Sequence, residues 1–253
     1  MNAGLARALE RFLLPNACLV CERLVEQHRP DALICGVCSA RLRPIVPGCR
    51  RCGQPLPPVG PCRFCAGWPE NLSLARSAVW LDDAARTIIH RLKYDGWHGL
   101  GTELGGIVAR HVPRPARAYL VPVPLSQRRL RDRGYNQATV LARGIAAVWQ
   151  YPVAERLLHR VRETQTQTAL TPEERADNVA GAFEAAPRSA GGRAIILIDD
   201  VLTTGATLCA AACALAAAGW LTIGAVTLAR ALPYDIRVAG GTSRTPHDNS
   251  DRG

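Results

Sequence analysis

The sequence predicts an α/β protein in which helices flank an open parallel sheet, with a small cysteine-rich zinc module ahead of the sheet. The apolar run Ile195–Ile198 is too short for a helix and typical of a strand buried on both faces. Tyr119–Val123 is a second such run, and a helix is predicted from Asn136 to about Trp149. Four Cys-x-x-Cys pairs lie within forty-eight residues near the N-terminus, a spacing typical of zinc ribbons.

The composition fits two folded units with an anionic partner. Of the 253 residues, 48% are hydrophobic, which is enough for the core of one medium-sized domain and a smaller module. The formal net charge is +10, and eight zinc-bound thiolates with two zinc ions would leave about +6. A basic chain suits a pyrophosphate ligand or nucleic acid, and net charge alone does not choose between them.

The N-terminal residues predict neither a signal peptide nor a membrane anchor. Arg7, Glu10 and Arg11 interrupt the apolar residues there. No apolar run in the chain approaches the ~20 residues of a membrane span. We therefore expect a cytoplasmic protein, with an amphipathic helix over residues 1–15 where apolar residues recur at helical spacing.

Residues 16–68 are predicted to form a double zinc ribbon with two structural zinc ions. Sequential pairing gives two sites of four ligands each, which are Cys18, Cys21, Cys35 and Cys38, then Cys49, Cys52, Cys62 and Cys65. A crossed pairing, of the first Cys-x-x-Cys with the third and of the second with the fourth, is the alternative. A disulfide framework would need an oxidising compartment, which nothing else supports. Five arginines are either a nucleic-acid contact or ordinary surface residues: Arg41, Arg43, Arg50, Arg51 and Arg63.

Residues 69–235 are predicted to form the α/β domain, followed by a disordered tail at 236–253. The first block of the domain, Leu74–Arg110, carries a strand at Ala78–Leu81 and a helix from Asp83. Further predicted elements are a strand near Val153–Leu158, a polar loop at Thr164–Pro172, a helix capped by Thr171 and a strand at Thr222–Leu228.

Four arginines follow the strand Tyr119–Val123 within six residues, and these are Arg128, Arg129, Arg131 and Arg133. Guanidinium groups pair bidentately with pyrophosphate oxygens. Ligands of open α/β sheets bind at the carboxyl ends of the strands, so this position favours an anion site over a solvated run of charges.

The candidate site centres on two adjacent acids, Asp199 and Asp200, at the end of the central strand. The turn that leads into the next helix consists of Thr203, Thr204, Gly205, Ala206 and Thr207. A helix N-terminus reached through such a turn offers backbone N–H groups, a positive dipole and hydroxyl donors, which suit a phosphate monoester. Because acids repel phosphate unless they meet hydroxyl groups or a metal, the ligand is expected to carry a polyol, as ribose 5-phosphate does. A Walker-type loop would need a lysine that is absent, and acids that only cap a helix leave the threonines unexplained.

The segment Ile195–Thr207 resembles the 5-phosphoribosyl-1-pyrophosphate (PRPP) signature of type I phosphoribosyltransferases. The resemblance implies a type I phosphoribosyltransferase fold in which Asp199 and Asp200, the catalytic acids, hold the ribose 2- and 3-hydroxyls and the turn holds the 5-phosphate. It also implies that Mg²⁺ accompanies PRPP. A variable segment before the core covers the acceptor substrate in that family, and Leu74–Arg110 is the candidate here.

The order of motifs from residue 16 to about 230 resembles the ComF family, which includes the GntX-like proteins. The cysteine module is followed by Leu-Lys-Tyr, Val-Pro-Val-Pro with Arg-Gly-Tyr-Asn-Gln, Thr-x-x-Gln-x-x-Leu, Glu-Arg-x-x-Asn-x-x-Gly-Ala-Phe and the PRPP signature. The resemblance implies a PRPP-binding protein of DNA uptake in natural competence, with single-stranded DNA and DNA-uptake or recombination proteins as partners. The alternative is an active enzyme that transfers ribose 5-phosphate from PRPP to an unidentified nitrogenous acceptor in nucleotide metabolism.

Overall fold

The computed structural model describes residues 17–25, 32–55, 62–97, 99–163, 178–188, 193–221 and 223–231, and the structural statements below concern these residues. Their strands are β1 (Leu72–Trp80), β2 (Ala118–Pro122), β3 (Leu158–Arg160), β4 (Phe183–Ala185), β5 (Ala194–Leu202) and β6 (Ile223–Arg230). Their α-helices are α1 (Gly36–Arg41), α2 (Asp83–Tyr94), α3 (Leu100–His111), α4 (Gln127–Arg133), α5 (Gln137–Trp149) and α6 (Ala206–Ala217). A four-stranded parallel sheet has the order β1-β6-β5-β2, and β3 pairs with β4 in a separate antiparallel sheet. The predicted α/β class is confirmed.

The strand β5 lies inside the sheet and carries the candidate acids. Its residues Ile195–Ile198 pair with β2 on one side and with β6 on the other. All four side chains are buried, because helices cover both faces of the sheet. Pairing with β6 continues through Asp199 to Leu202, so the strand extends beyond the acids instead of ending at them.

Each face of the sheet is covered by different helices. α2, α3 and α5 pack on one face around Leu104, and α6 packs on the other around Leu208. A Cβ atom added at Gly105 would collide with the backbone of Gly144, so α3 and α5 can approach this closely only because both positions are glycine.

The cysteine-rich module packs along β1, the edge strand of the sheet. Trp80 N donates to Arg43 O at 2.8 Å, and Ala75 N donates to Arg51 O at 2.8 Å. These bonds cover an edge that a bare sheet would expose. The first group of cysteines joins the core beside α3, and the second joins the core beside α6. The domain boundary predicted near residue 69 therefore falls between two segments that both contribute side chains to the two hydrophobic cores, one on each face of the sheet.

Two predicted strands differ in extent from those of the structure, and a third prediction concerns the first block of the domain. The strand predicted at Ala78–Leu81 is the end of the longer β1. Where a strand was expected at Val153–Leu158, an isolated bridge joins Val153 to Leu120 before β3 begins. The block Leu74–Arg110 supplies most of β1 and all of α2 and α3 to the main fold, and its role as a cover over an acceptor site stays a prediction.

Several predictions lie outside the described residues. These are the amphipathic helix at 1–15, the polar loop and capped helix within 164–177, and the tail at 236–253. Within the described ranges, no helix combines the length and the apolar character needed to cross a membrane.

Candidate functional site

One pocket, with a volume of about 490 Å³, lies at the carboxyl ends of β2 and β5. Parallel strands end at the same edge of a sheet, so the segments that follow them meet there. The polar and charged residues that line it include Lys93, Tyr94, Arg129, Arg133, Gln137, Arg160, Asp199, Asp200, Thr203, Thr204 and Thr207. Both predicted acids and the predicted turn are thus brought together.

Asp200 is buried and is held by side chains from two helices. Its Oδ1 accepts a hydrogen bond of 3.2 Å from Gln137 Nε2, and its Oδ2 forms an ion pair with Lys93 Nζ. Asp199 lies beside it, half-buried, and its Oδ1 accepts a bond of 2.9 Å from the Asp200 backbone N–H. Arg133 extends the network by donating to Gln137 Oε1 at 2.6 Å. The ends of α2 and α5 therefore fix the Asp200 carboxylate.

The two carboxyl groups have pKa shifts of opposite sign. Burial and the neighbouring charge of Asp200 raise the pKa of Asp199 well above its usual value. Burial alone would also raise the pKa of Asp200, but the charge and hydrogen bond of Lys93 outweigh it and lower that pKa. Burial opposes the charged form of Lys93, yet the Asp200 charge raises the Lys93 pKa. Lys93 and Asp200 form a charged pair, whereas Asp199 keeps its proton to higher pH than an ordinary aspartate.

The turn between β5 and α6 has the features of a phosphate-binding turn. Gly205 is the N-cap of α6 and has a φ of 88°, in the left-handed region that favours glycine. Thr203, Thr204 and Thr207 line the pocket around it, and Ala206 N donates to Thr204 Oγ1 at 3.4 Å. Because α6 is a helix of 12 residues, its N-terminus brings a positive partial charge to the pocket.

The helix α4 separates the four arginines that the sequence grouped together. Arg129 and Arg133, one turn apart, line the pocket. Arg128 and Arg131 are exposed and are not among the lining residues, and the Arg128 guanidinium lies 3.9 Å from the carboxylate of Asp132. Residues four apart share a helix face, whereas adjacent residues do not. The geometry therefore supports Arg129 and Arg133 as anion ligands, whereas Arg128 and Arg131 are exposed outside the lining.

Five charged or polar lining residues were absent from the predicted site. They are Lys93 and Tyr94 at the end of α2, Asp132 on α4, Gln137 at the start of α5 and Arg160 on β3. Lys93 and Gln137 belong to the Leu-Lys-Tyr and Arg-Gly-Tyr-Asn-Gln motifs, which is the signal that points to them. Nothing in the sequence around Arg160 indicates the site, because its position depends on the pairing of β3 with β4.

The cysteines form two groups with sequential pairing, so the crossed alternative is excluded. Within each group the sulfur atoms lie within 4.8 Å of one another, and the groups are Cys18, Cys21, Cys35 and Cys38, and Cys49, Cys52, Cys62 and Cys65. Burial would raise the pKa of Cys18, but hydrogen bonds from the backbone of Cys35, Cys21 and Val20 lower it to about 7. Four thiolates at such spacing are the ligand set of a structural zinc ion.

A buried arginine beside the second cysteine group supports a negatively charged metal site. Arg230 is 1% exposed, its Nη1 donates to Cys52 O at 2.6 Å, and its Nη2 lies 3.9 Å from Cys52 Sγ. Its guanidinium also stacks on the Phe64 ring at 4.2 Å. A buried arginine needs a negative partner, and four thiolates around one Zn²⁺ have a net charge of −2. The residues present fit zinc.

The five arginines of the cysteine module have different environments. Four are exposed, and these are Arg41, Arg43, Arg50 and Arg63. Arg51 instead donates to backbone carbonyl oxygens, including Cys65 O at 3.3 Å and Pro69 O at 2.7 Å. The Arg51 side chain therefore stabilises the module from within, and of these five arginines the other four present their charges at the surface.

Known families and proteins match most of the chain. Residues 9–66 match the double zinc ribbon domain, and residues 130–251 match the phosphoribosyl transferase domain. Competence protein ComFC of Bacillus subtilis is 29% identical over 211 residues, covering 76% of this chain and 85% of that protein. DNA utilization protein YhgH of Salmonella typhi is 29% identical over 209 residues, with 77% and 88% covered. Competence protein F of Haemophilus influenzae is 28% identical over 183 residues, with 69% and 74% covered.

Proposed function

We propose that this chain, which belongs to the ComF family, binds PRPP with Mg²⁺ in the pocket at the end of β5 and acts in the cytoplasm in DNA uptake during natural competence. The proposal rests on the observation that acidic, hydroxyl and basic side chains line the same pocket. An acid pair, a hydroxyl-rich turn at a helix N-terminus and three arginines match a ribose, its 5-phosphate and a pyrophosphate respectively.

The acids are suited to the ribose hydroxyls. Carboxylates accept the hydrogen bonds that the 2- and 3-hydroxyls donate, and charged acceptors make stronger bonds than neutral ones. Lys93 balances the charge of Asp200, so the pocket can hold this carboxylate ionised beside an anionic ligand. The threonines of the turn and the first amides of α6 are suited to the 5-phosphate.

The pyrophosphate of PRPP would lie toward Arg129, Arg133 and Arg160, which bring positive charge to the wall formed by α4 and β3. Carboxylate oxygens of the pocket are ligands of the kind that Mg²⁺ prefers. When bound, Mg²⁺ would neutralise part of the pyrophosphate charge. Arg133 is held for this role by its bond to Gln137 and by the Tyr94 ring, 5.1 Å from its guanidinium carbon.

The role in DNA uptake is carried over from the relatives, whose names describe competence and DNA utilization. We propose single-stranded DNA and proteins of DNA uptake or recombination as partners. The exposed arginines Arg128 and Arg131, which lie on α4 outside the pocket lining, support an electrostatic contact with a phosphate backbone. Deleting the gene in its own organism should lower the yield of transformants without affecting growth.

An active phosphoribosyltransferase is the second candidate, and the raised pKa of Asp199 favours it. A carboxyl group that exchanges its proton at higher pH than usual is typical of a catalytic site. In the reaction a nitrogen of the acceptor forms a bond to C1 of PRPP while the C1–O bond breaks, and pyrophosphate leaves with the electron pair. The negative charge of Asp200 would oppose the positive charge that develops on the ribose.

Calorimetric titration with PRPP and Mg²⁺ tests the binding proposal. Asp199→Asn removes a charge-assisted hydrogen bond worth ~1.5–3 kcal/mol, so affinity should fall roughly tenfold or more. Asp95→Asn is the matched control, since Asp95 forms an exposed ion pair with Arg91 and is not among the residues that line the pocket. A wild-type protein without affinity for PRPP would refute the proposal. Pyrophosphate release with candidate nitrogenous acceptors separates the enzyme from the binding protein.

A further inference from the structure

One tryptophan connects the second cysteine group to the phosphate-binding turn. Trp68 follows Cys65 by three positions and is 8% exposed. Its Nε1 donates to Thr204 O at 3.4 Å, and a Cβ atom placed on Gly205 would lie 2.6 Å from Trp68 Cζ2. The indole ring therefore packs directly against the backbone of the turn.

The knuckle Cys49–Cys52 is hydrogen-bonded to the backbone of the segment that carries Trp68. Arg51, inside that knuckle, donates to Cys65 O at 3.3 Å and to Trp68 O at 3.1 Å. Phe64 packs edge-on against the Trp68 ring, with 5.7 Å between the ring centroids. The segment that carries Trp68 is thus tied to the second cysteine group by hydrogen bonds and by aromatic packing.

We propose that Trp68 is a positioning residue that holds the phosphate-binding turn in its binding conformation and couples this turn to the second cysteine group. The inference rests on the proposed function, because it concerns the turn assigned there to the 5-phosphate. The turn contains Gly205 in a left-handed conformation, and glycine has more alternative conformations than any other residue. A rigid ring packed against it excludes part of these alternatives, which pre-organises the backbone amides for the phosphate.

Binding of ribose 5-phosphate and of pyrophosphate, each measured alone by calorimetry, tests the positioning role. Trp68→Ala should weaken ribose 5-phosphate roughly tenfold or more, because small displacements of binding groups are costly. Pyrophosphate binding should change less than about twofold, since Arg129 and Arg133 lie on α4 and not on the turn. Trp68→Phe keeps an aromatic ring and should restore most of the affinity lost in Trp68→Ala.

Trp220→Phe is the matched control. Trp220 is also buried, and its indole N–H donates to Ala186 O at 3.1 Å. It follows the opposite end of α6, whose 12 residues span about 18 Å. This variant should bind ribose 5-phosphate like wild type.

The change in tryptophan emission that ribose 5-phosphate induces in the folded protein is a second readout, separate from affinity. Ribose 5-phosphate should change the emission of wild type and of Trp220→Phe but not that of Trp68→Phe, which still binds. A change that persists in full in Trp68→Phe would overturn the inference, even where Trp68→Ala does not fold.

Cys65→Ser and Cys35→Ser compare the two cysteine groups, which pack on opposite faces of the sheet. The affinity of Cys65→Ser for ribose 5-phosphate should be at least about fivefold lower than that of Cys35→Ser. Equal affinities of these two folded variants would overturn the coupling, and equal affinities of wild type and Trp68→Ala would overturn the positioning role. A wild-type protein that binds neither PRPP nor ribose 5-phosphate would instead refute the proposed function.

Discussion

Replacing Asp200 by asparagine should lower folding stability, whereas the same replacement of its neighbour Asp199 should not. Asp200→Asn leaves Lys93 without its anionic partner, in a pair whose side chains are 25% and 7% exposed. Breaking a fully buried pair costs ~3–5 kcal/mol. Because Lys93 can reach water in part, the expected loss in the free energy of unfolding is about 2–3 kcal/mol.

Asp199→Asn removes the carboxyl whose pKa is raised by burial and by the charge of Asp200. A group with a raised folded-state pKa stabilises the fold below its unfolded pKa, and this contribution is lost as pH rises through the folded pKa. At pH values above the folded-state pKa of Asp199, the Asp199→Asn change should therefore leave the free energy of unfolding unchanged or raise it. Asp200 has a lowered pKa, so its contribution is present above its unfolded pKa and is lost as pH falls through the folded one.

Urea unfolding near neutral pH, with zinc present throughout, measures both effects. The midpoint should fall for Asp200→Asn at an unchanged m-value, and the melting temperature should fall by roughly 4–12 °C. The double variant Lys93→Met/Asp200→Asn should recover most of the loss, because removing both partners leaves no unpaired charge. Equal stabilities of Asp199→Asn and Asp200→Asn, or a double variant less stable than Asp200→Asn, would refute the ion-pair reasoning.

Three further predictions concern the metal sites, the turn and the release of a proton on PRPP binding. Metal analysis of protein purified without chelator should find two zinc ions per chain, and a ratio near one would contradict two complete sites. Gly205→Ala should lower the free energy of unfolding by more than the ~1–2 kcal/mol that a left-handed alanine costs, because the added Cβ collides with Trp68. Gly181→Ala, which has open space around its Cβ, should cost no more than that amount. Thermal unfolding measures both. At pH values below the raised pKa of Asp199, PRPP binding should release a proton, so PRPP affinity should increase with pH. Calorimetry in buffers of different ionisation enthalpy should detect the released proton in wild type and not in Asp199→Asn.

The features that sequence reasoning predicted well are those set by neighbours in the chain. Ile195–Ile198 must be a buried strand because its apolar residues leave no polar face, and Gly205 follows the acids at the spacing of a turn before a helix. The Cys-x-x-Cys spacing brings two sulfur atoms together within each knuckle, so metal sites followed from it. The arginine run was less informative, because helical periodicity placed Arg129 and Arg133 at the pocket and turned Arg131 outward.

From the sequence alone, the α/β class, the acid pair with its phosphate-type turn and the eight cysteine ligands could be derived, since each depends on residue order over a short span. Only the tertiary structure decided that Lys93 pairs with Asp200 and that Trp68 supports Gly205. These partners are separated by more than one hundred positions. Lys93 lies on the helix that follows β1, and Trp68 lies just before β1. Both contact the end of β5 or the turn after it although β6 separates β1 from β5, and no local pattern encodes that arrangement.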